Sequence, residues 1–508
     1  MININSKIYF QLIIFTLFFL LSRIDNIVLF YEINIDLDTN YQTAILENFQ
    51  EYAYLQHVNM FGKILFDKII FTISSFSGLN YYTIFYLFNI LTSYFFFSIV
   101  ILFINSLFQN NLFIKIGLFL FILAISYFFD NYELWKPNYH DHFIFTLITI
   151  FSLLILFDNY LENNFYIYLI LFLLIVSYTL GITFFIISFF FIFVRKYQNE
   201  KTFKKDLIIF FLFLAIYFFL SLKNFINIKI FSPSSNGGAN LIQRTLHSIG
   251  NDSYYDLINK SKKIPKWFKF CNNEIFKQNS NISKSNKDYF QSKLAHGQCF
   301  MNSKGQVDLL RYKNQLIKKN FSSELINIID QDLKNRNNKI WLFSGIHDDL
   351  SYAITSQYTS YGNVIFFDAI KHYPYQMLIG EKGNKGVFLT FLKMISYGGM
   401  FPEYYEEIYL PTRNKYSIMI YKFCIFFILF FNLFTPYVFY KKIKYAIKIK
   451  KIKNLDFIYF LFLFILIFQT IIISTATCCE NPRIAVVYFP IILLITLINI
   501  KSLLNNFL

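Results

Sequence analysis

The sequence predicts an α-helical polytopic membrane protein of about ten transmembrane helices carrying one large extracytoplasmic domain, mixed α/β or mainly α in content. Three observations carry that expectation. Of 508 residues, 56% are hydrophobic, 21% aromatic and only 15% charged, too apolar for a soluble chain of this length. Apolar windows close to the length that crosses ~30 Å of hydrocarbon recur in both halves of the chain. Lysine and arginine gather in a few short segments between those windows. The net charge of +16 therefore reads as membrane orientation rather than as a nucleic-acid surface, and no nucleic-acid partner is expected.

In chain order the windows run from Ile8 to Leu21, Thr83 to Leu107, Leu112 to Phe129, Phe143 to Phe157, Phe165 to Tyr178, Ile182 to Val194 and Leu207 to Leu222. Three more follow, Ser417 to Phe439, Phe457 to Thr475 and Ile484 to Ile500. The stretch from Phe165 to Val194 would measure ~45 Å as one helix, longer than an untilted crossing, so it is divided at Tyr178-Thr179-Leu180-Gly181. Arg23 and Asp25 follow the first window with no small-residue cleavage site, so that window is expected to remain as an anchor.

Orientation follows from the basic residues of the short loops. Arg195, Lys196, Lys201, Lys204 and Lys205 fill one, and Lys441, Lys442, Lys444, Lys448, Lys450, Lys451 and Lys453 fill another. Lys7 precedes the first window and Lys501 follows the last; an even number of crossings puts all four groups on one side, expected to be the cytoplasm of a cell (inner) membrane. Both termini are then cytoplasmic. The domains expected are 1–222 with about seven spans, an extracytoplasmic domain 223–416, and 417–508 with three spans; a first outer loop covers 31–81. Cys271 and Cys299 share the large outer region and can pair there, or stand as two thiols.

The residues able to carry chemistry collect at the outer ends of the windows. Asp36-Leu37-Asp38 with Tyr41 follows the first window and precedes an amphipathic helix expected over Thr43 to Tyr54. Two carboxylates two residues apart can share a divalent cation, or one can take a proton from an acceptor while the other tunes it. A surface loop often carries the same pattern with no such role. His57 can contact a phosphate or a sugar hydroxyl, or serve as an interfacial side chain. Trp135-Lys136-Pro137-Asn138-Tyr139-His140-Asp141-His142 opens the fourth window; its aromatic residues suit the interface, whereas Asp141 at the mouth of a span needs water or a partner. Before the last window come Glu480-Asn481-Pro482-Arg483; Arg483 could grip a lipid phosphate or snorkel, and Pro490 is expected to bend the last span.

Together these positions resemble the C superfamily of glycosyltransferases, polytopic enzymes that use polyprenyl-phosphate sugars, and within it the protein mannosyltransferases and lipid A aminoarabinose transferases. The likeness rests on Asp36, Asp38 and Tyr41 in the first outer loop, on Val176-Ser177-Tyr178-Thr179-Leu180-Gly181-Ile182, and on Glu480 to Arg483 with Pro490. The spacing from Asp36 to Tyr41 is also similar to the first acidic motif of oligosaccharyltransferase catalytic subunits. Where the family often has Lys-Pro-Pro, this chain has Gln56-His57-Val58-Asn59. The resemblance implies an inverting transferase with Asp36 or Asp38 as base, Arg483 and His57 on the donor phosphate, and Tyr41, Asp141, His140 and Glu480 in support. It implies a divalent cation (Mg or Mn) on Asp36 and Asp38 only if the reaction uses one, and a glycan, lipid or protein acceptor. The alternatives are a polysaccharide polymerase or ligase and a non-enzymatic transporter or flippase.

Overall fold

The computed structural model describes residues 6–24, 46–47, 49–50, 61–128, 141–156, 165–177, 186–189, 192, 200–228, 230–232, 237–279, 309–321, 323, 326–327, 329–330, 360–380, 386–397, 415–449, 454–476 and 488–507. No strand occurs among them. Four stretches are helical, long and apolar enough to cross a membrane, Thr83–Leu107, Lys204–Ile226, Lys422–Ile449 and Leu455–Ile472, and shorter apolar helices accompany them. The protein is thus an α-helical membrane protein. Of the expected sixth window, Ile182 to Val194, only residues 186–189 and 192 are described, and these are helical.

The first bundle contains α1 (Ser6–Leu21), α2 (Phe61–Ser77), α3 (Tyr81–Leu107), α4 (Leu112–Phe128), α5 (Asp141–Leu156), α6 (Phe165–Ser177) and α7 (Glu200–Ile228). Side-chain bonds fix the directions of its first members. Gln11 of α1 accepts from Asn105 near the end of α3 (2.8 Å), Thr16 meets the Tyr94 hydroxyl (2.8 Å), and Arg23 just beyond α1 donates to the Ser126 carbonyl near the end of α4 (2.6 Å). Helices α1 and α4 therefore run one way and α3 the other, as a chain crossing back and forth requires. Asn80 caps α3, its side-chain oxygen accepting from the Thr83 N–H at 2.7 Å.

Helix α2 departs from expectation, because residues 31–81 were expected to form a polar outer loop. Instead Ile64, Phe66, Ile70 and Phe71 are buried in the same apolar core as the long helices. Phe66 joins α2 to its neighbours, stacking on Phe143 of α5 at 4.3 Å and meeting Phe85 and Phe88 of α3 edge-on. A Cβ added to Gly62 would lie 1.9 Å from the Ser177 hydroxyl, so only glycine lets α2 approach the end of α6 this closely. Just upstream, the helical residues Leu46 and Phe49 pack on this core while Glu47 and Gln50 face outward. Such alternation is that of an amphipathic turn.

Between the two groups of apolar helices lie α8 (Gly237–Lys260), α9 (Lys266–Asn279), α10 (Leu309–Lys318), α11 (Gly362–His372), α12 (Pro374–Ile379) and α13 (Val387–Tyr397). They enclose a separate core that includes Ile242, Leu246, Tyr254, Phe268 and Phe366. Gly250 divides α8 with φ 78°, a conformation that costs an L side chain roughly 1–2 kcal/mol. Cys271 is buried in this core and disulfide-bonded, a bond that suits an oxidising compartment; Cys299 lies outside the described residues. Beside it an exposed carboxylate, Asp256, is held below the usual aspartate range by hydrogen bonds from Lys260 and Tyr373 and by the Lys260 charge.

The last group is α14 (Lys415–Asn432), α15 (Thr435–Ile449), α16 (Asn454–Ala476) and α17 (Phe489–Phe507). Helix α13 packs against α16 and α14 and so docks the middle unit on the apolar helices. Two expectations are corrected here. The window from Ser417 to Phe439 is broken at Leu433-Phe434, before Pro436, and the lysines placed in a loop belong largely to α15, where Lys442 pairs with Asp456. Pro490 does not bend a span, because it is the second residue of α17, where its missing N–H costs nothing. Side chains bridge the break: Asn499 donates to Phe431 O (3.3 Å), which also accepts from the Phe434 N–H (3.3 Å), and to Thr435 Oγ1 (2.9 Å), and Tyr459 donates to Asn499 Oδ1 (3.0 Å).

Candidate functional site

The end of the bundle marked by Tyr81, Ser126 and Asp141 is the far end; the basic end holds the α3–α4 turn and the α15 lysines. Most sequence-predicted site residues, Asp36, Asp38, Tyr41, His57, His140, Glu480 and Arg483, lie outside the described residues. Asp141 is the first residue of α5. Helices α1, α2, α5 and α17, which adjoin these segments in sequence, all pack against α3.

Around that end of α3 the structure gathers charge that the sequence analysis did not single out. Lys63 and Asp67 of α2 form an ion pair one helical turn apart, with relative exposures of 4% and 1%. The Tyr81 hydroxyl donates to the other Asp67 oxygen at 2.8 Å. Arg23, 3% exposed, lies over the Phe19 ring at 3.7 Å and donates to Ser22 and to the Ser126 carbonyl. Burying charge is costly unless it is paired and hydrogen-bonded, so apolar helices keep such groups only where other groups or a ligand answer them. A signal for them existed: Lys63 and Asp67 are opposite charges four apart inside the run Phe61 to Ile73, whose only other polar side chains are Lys68 and Thr72.

Deeper in the bundle the polarity continues without charge. Asn89 lies ~12 Å below Tyr81 along α3, and Thr149 ~12 Å below the start of α5. The shared contact of Phe88 and Phe143 with Phe66 puts the two helices in register, so Asn89 and Ser93 share a level with Thr146 and Thr149. All four side chains are at most 2% exposed. Neither amide atom of Asn89 and none of the three hydroxyls has a hydrogen-bond partner among the described residues. Buried polar groups without partners call for water or a ligand.

Helix α17 begins just beneath. Phe489 lies 6.5 Å from Phe96 and 6.4 Å from Phe97, so α17 starts ~22 Å below Tyr81, well inside the apolar region. Helix α17 packs against both α3 and α5, and its N-terminal end carries the positive end of its dipole. Down this end of the bundle come a buried ion pair with tyrosine, a level of buried hydroxyl and amide groups, and a helix N-terminus. This set suits a ligand that combines hydroxyls with an anion. Among the described residues no group of three or more His, Cys, Asp or Glu side chains is placed to hold a metal ion, and Asp36 and Asp38 lie outside them. No family model matches the chain, and no curated protein or solved structure is similar to it.

Proposed function

We propose that the protein is a membrane glycosyltransferase that moves a sugar from a polyprenyl-phosphate donor to an envelope glycan, lipid or protein acceptor on the outer side of a cell membrane, with the far end of the bundle facing outward. The observation that carries this reading is the group of buried, unpartnered polar side chains Asn89, Ser93, Thr146 and Thr149 between the levels of the Lys63–Asp67 pair and the start of α17. A lipid-borne sugar brings hydroxyls and a phosphate that such groups can bond, and its chain remains in the bilayer.

In the reaction, the carboxylate of Asp36 or Asp38 takes the proton of an acceptor hydroxyl. The acceptor oxygen bonds to the anomeric carbon from the face opposite the phosphate, the bond from that carbon to the phosphate oxygen breaks, and the configuration inverts. Polyprenyl phosphate leaves, its charge met by Arg483, with His57 beside it; Tyr41, His140, Asp141 and Glu480 orient the reactants. Positioning and electrostatics supply most of the acceleration in such a displacement.

The test incubates membranes containing the protein with polyprenyl-phosphate sugars and measures release of free polyprenyl phosphate. Wild type releases it, and Asp36→Asn/Asp38→Asn, folded and inserted to the same level, does not. Equal release by both proteins removes the acidic pair from the mechanism. The buried neutral polar groups also suit a transporter or flippase, which would move the intact donor across the membrane without releasing the phosphate.

A further inference from the structure

A second site lies at the basic end of the bundle, away from the groups described above. Helices α4, α14 and α17 enclose an apolar cavity of about 800 Å³, walled by Phe121, Phe423, Phe427, Phe430 and Leu503 and floored by Gly117. A side chain added at Gly117 would meet nothing within 4 Å, so the floor is open. Leu120, Phe423 and Phe430 are exposed, which places the mouth on the outer wall of the bundle, where lipid is the surrounding phase. Along α4 the lining runs from Ile114 to Ala124, ~15 Å, about half of the ~30 Å hydrocarbon thickness and thus one leaflet.

Charge marks one end of this groove. The Lys115 amine donates to the Gln109 carbonyl at 2.8 Å, and the Lys501 amine lies 5.6 Å from the Phe108 ring. Both amines therefore converge on the short α3–α4 turn, one turn from Ile114 on one side and flanked by Ile500 and Leu503 on the other. An apolar trough one leaflet long with two cations at its surface end matches one occupant in chemistry. We infer that the groove binds an anionic glycerophospholipid of the leaflet at the basic end, its acyl chain along Gly117 and the phenylalanines and its phosphate on Lys115 and Lys501. Neither the acidic pair nor the donor enters this inference.

The test is lipid mass spectrometry of the full-length protein purified in detergent and equilibrated with mixed micelles of phosphatidylglycerol and phosphatidylcholine. Wild type retains phosphatidylglycerol with a preference of roughly thirty-fold, from about 1 kcal/mol for each basic residue near the headgroups. Lys115→Gln/Lys501→Gln keeps the lipid but loses the preference. Gly117→Phe fills open space and loses both lipids. Wild-type retention without preference, or retention and preference unchanged in both variants, overturns the inference. So does a dimer that Gly117→Phe separates while wild type carries no lipid, since a second copy of the chain would then fill the groove.

Discussion

Asp67→Leu removes one member of the buried Lys63–Asp67 pair and takes from Lys63 its partner one helical turn away. Because the two residues are 4% and 1% exposed, little water reaches the cation that remains. Breaking a buried pair from one side costs about 3–5 kcal/mol. Lys63→Met/Asp67→Leu removes both charges, and apolar residues of similar volume often replace a buried pair at little net cost. That double variant also takes the acceptor from Tyr81, worth about 1 kcal/mol, which Tyr81→Phe restores. Unfolding by SDS titration in mixed micelles reads each cost from its midpoint and slope. The expectation is a loss of about 3–5 kcal/mol in Asp67→Leu and within about 2 kcal/mol of wild type in the double variant. A double variant as unstable as the sum of its singles would show that the two residues act independently and refute the reasoning.

Further outcomes follow from other contacts. Gly62→Val drives a side chain into Ser177 and should cost about 1–3 kcal/mol, relieved in part by Ser177→Gly, in the same titration. Asn499→Leu removes the side-chain bonds to Phe431 O and Thr435 Oγ1 that bridge the α14–α15 break and leaves Tyr459 without its Asn499 acceptor; it should cost about 1–3 kcal/mol, with faster proteolysis at the break. Gly250→Ala should destabilise the middle unit by roughly 1–2 kcal/mol, read by hydrogen exchange of α8. Asp256 titrates below the usual aspartate value, so the stability it brings is complete above that value and fades as pH falls through the lowered one; Asp256→Asn should flatten this part of the acid unfolding profile.

The long apolar helices were legible because bilayer thickness imposes a run of apolar residues that composition alone displays, as at Thr83–Leu107 and Leu455–Ile472. Helix α2 was less so. Its Lys63, Asp67 and Lys68 lower its hydropathy, yet Lys63 and Asp67 neutralise each other by folding onto the same turn. The break at Leu433-Phe434 was hidden because the side chain that bridges it, Asn499, is distant in sequence, which no local pattern reveals. The lysines of α15 read as a loop by charge, although helical spacing leaves Lys441, Lys444 and Lys448 exposed while Lys442 pairs with Asp456 and Val438 packs inward. Within the candidate site, the acidic and basic motifs stand in the sequence, whereas Asn89, Ser93, Thr146 and Thr149 are ordinary residues that become informative only through shared depth and absent partners.

The most direct test of the central claim is mass spectrometry of envelope glycans from cells lacking the protein, complemented with wild type or with Asp36→Asn/Asp38→Asn. A transferase predicts a single sugar mass missing both without the protein and with the variant, and restored by wild type. Variant glycans identical to those of wild type, or loss of whole chains in place of one sugar, would contradict it.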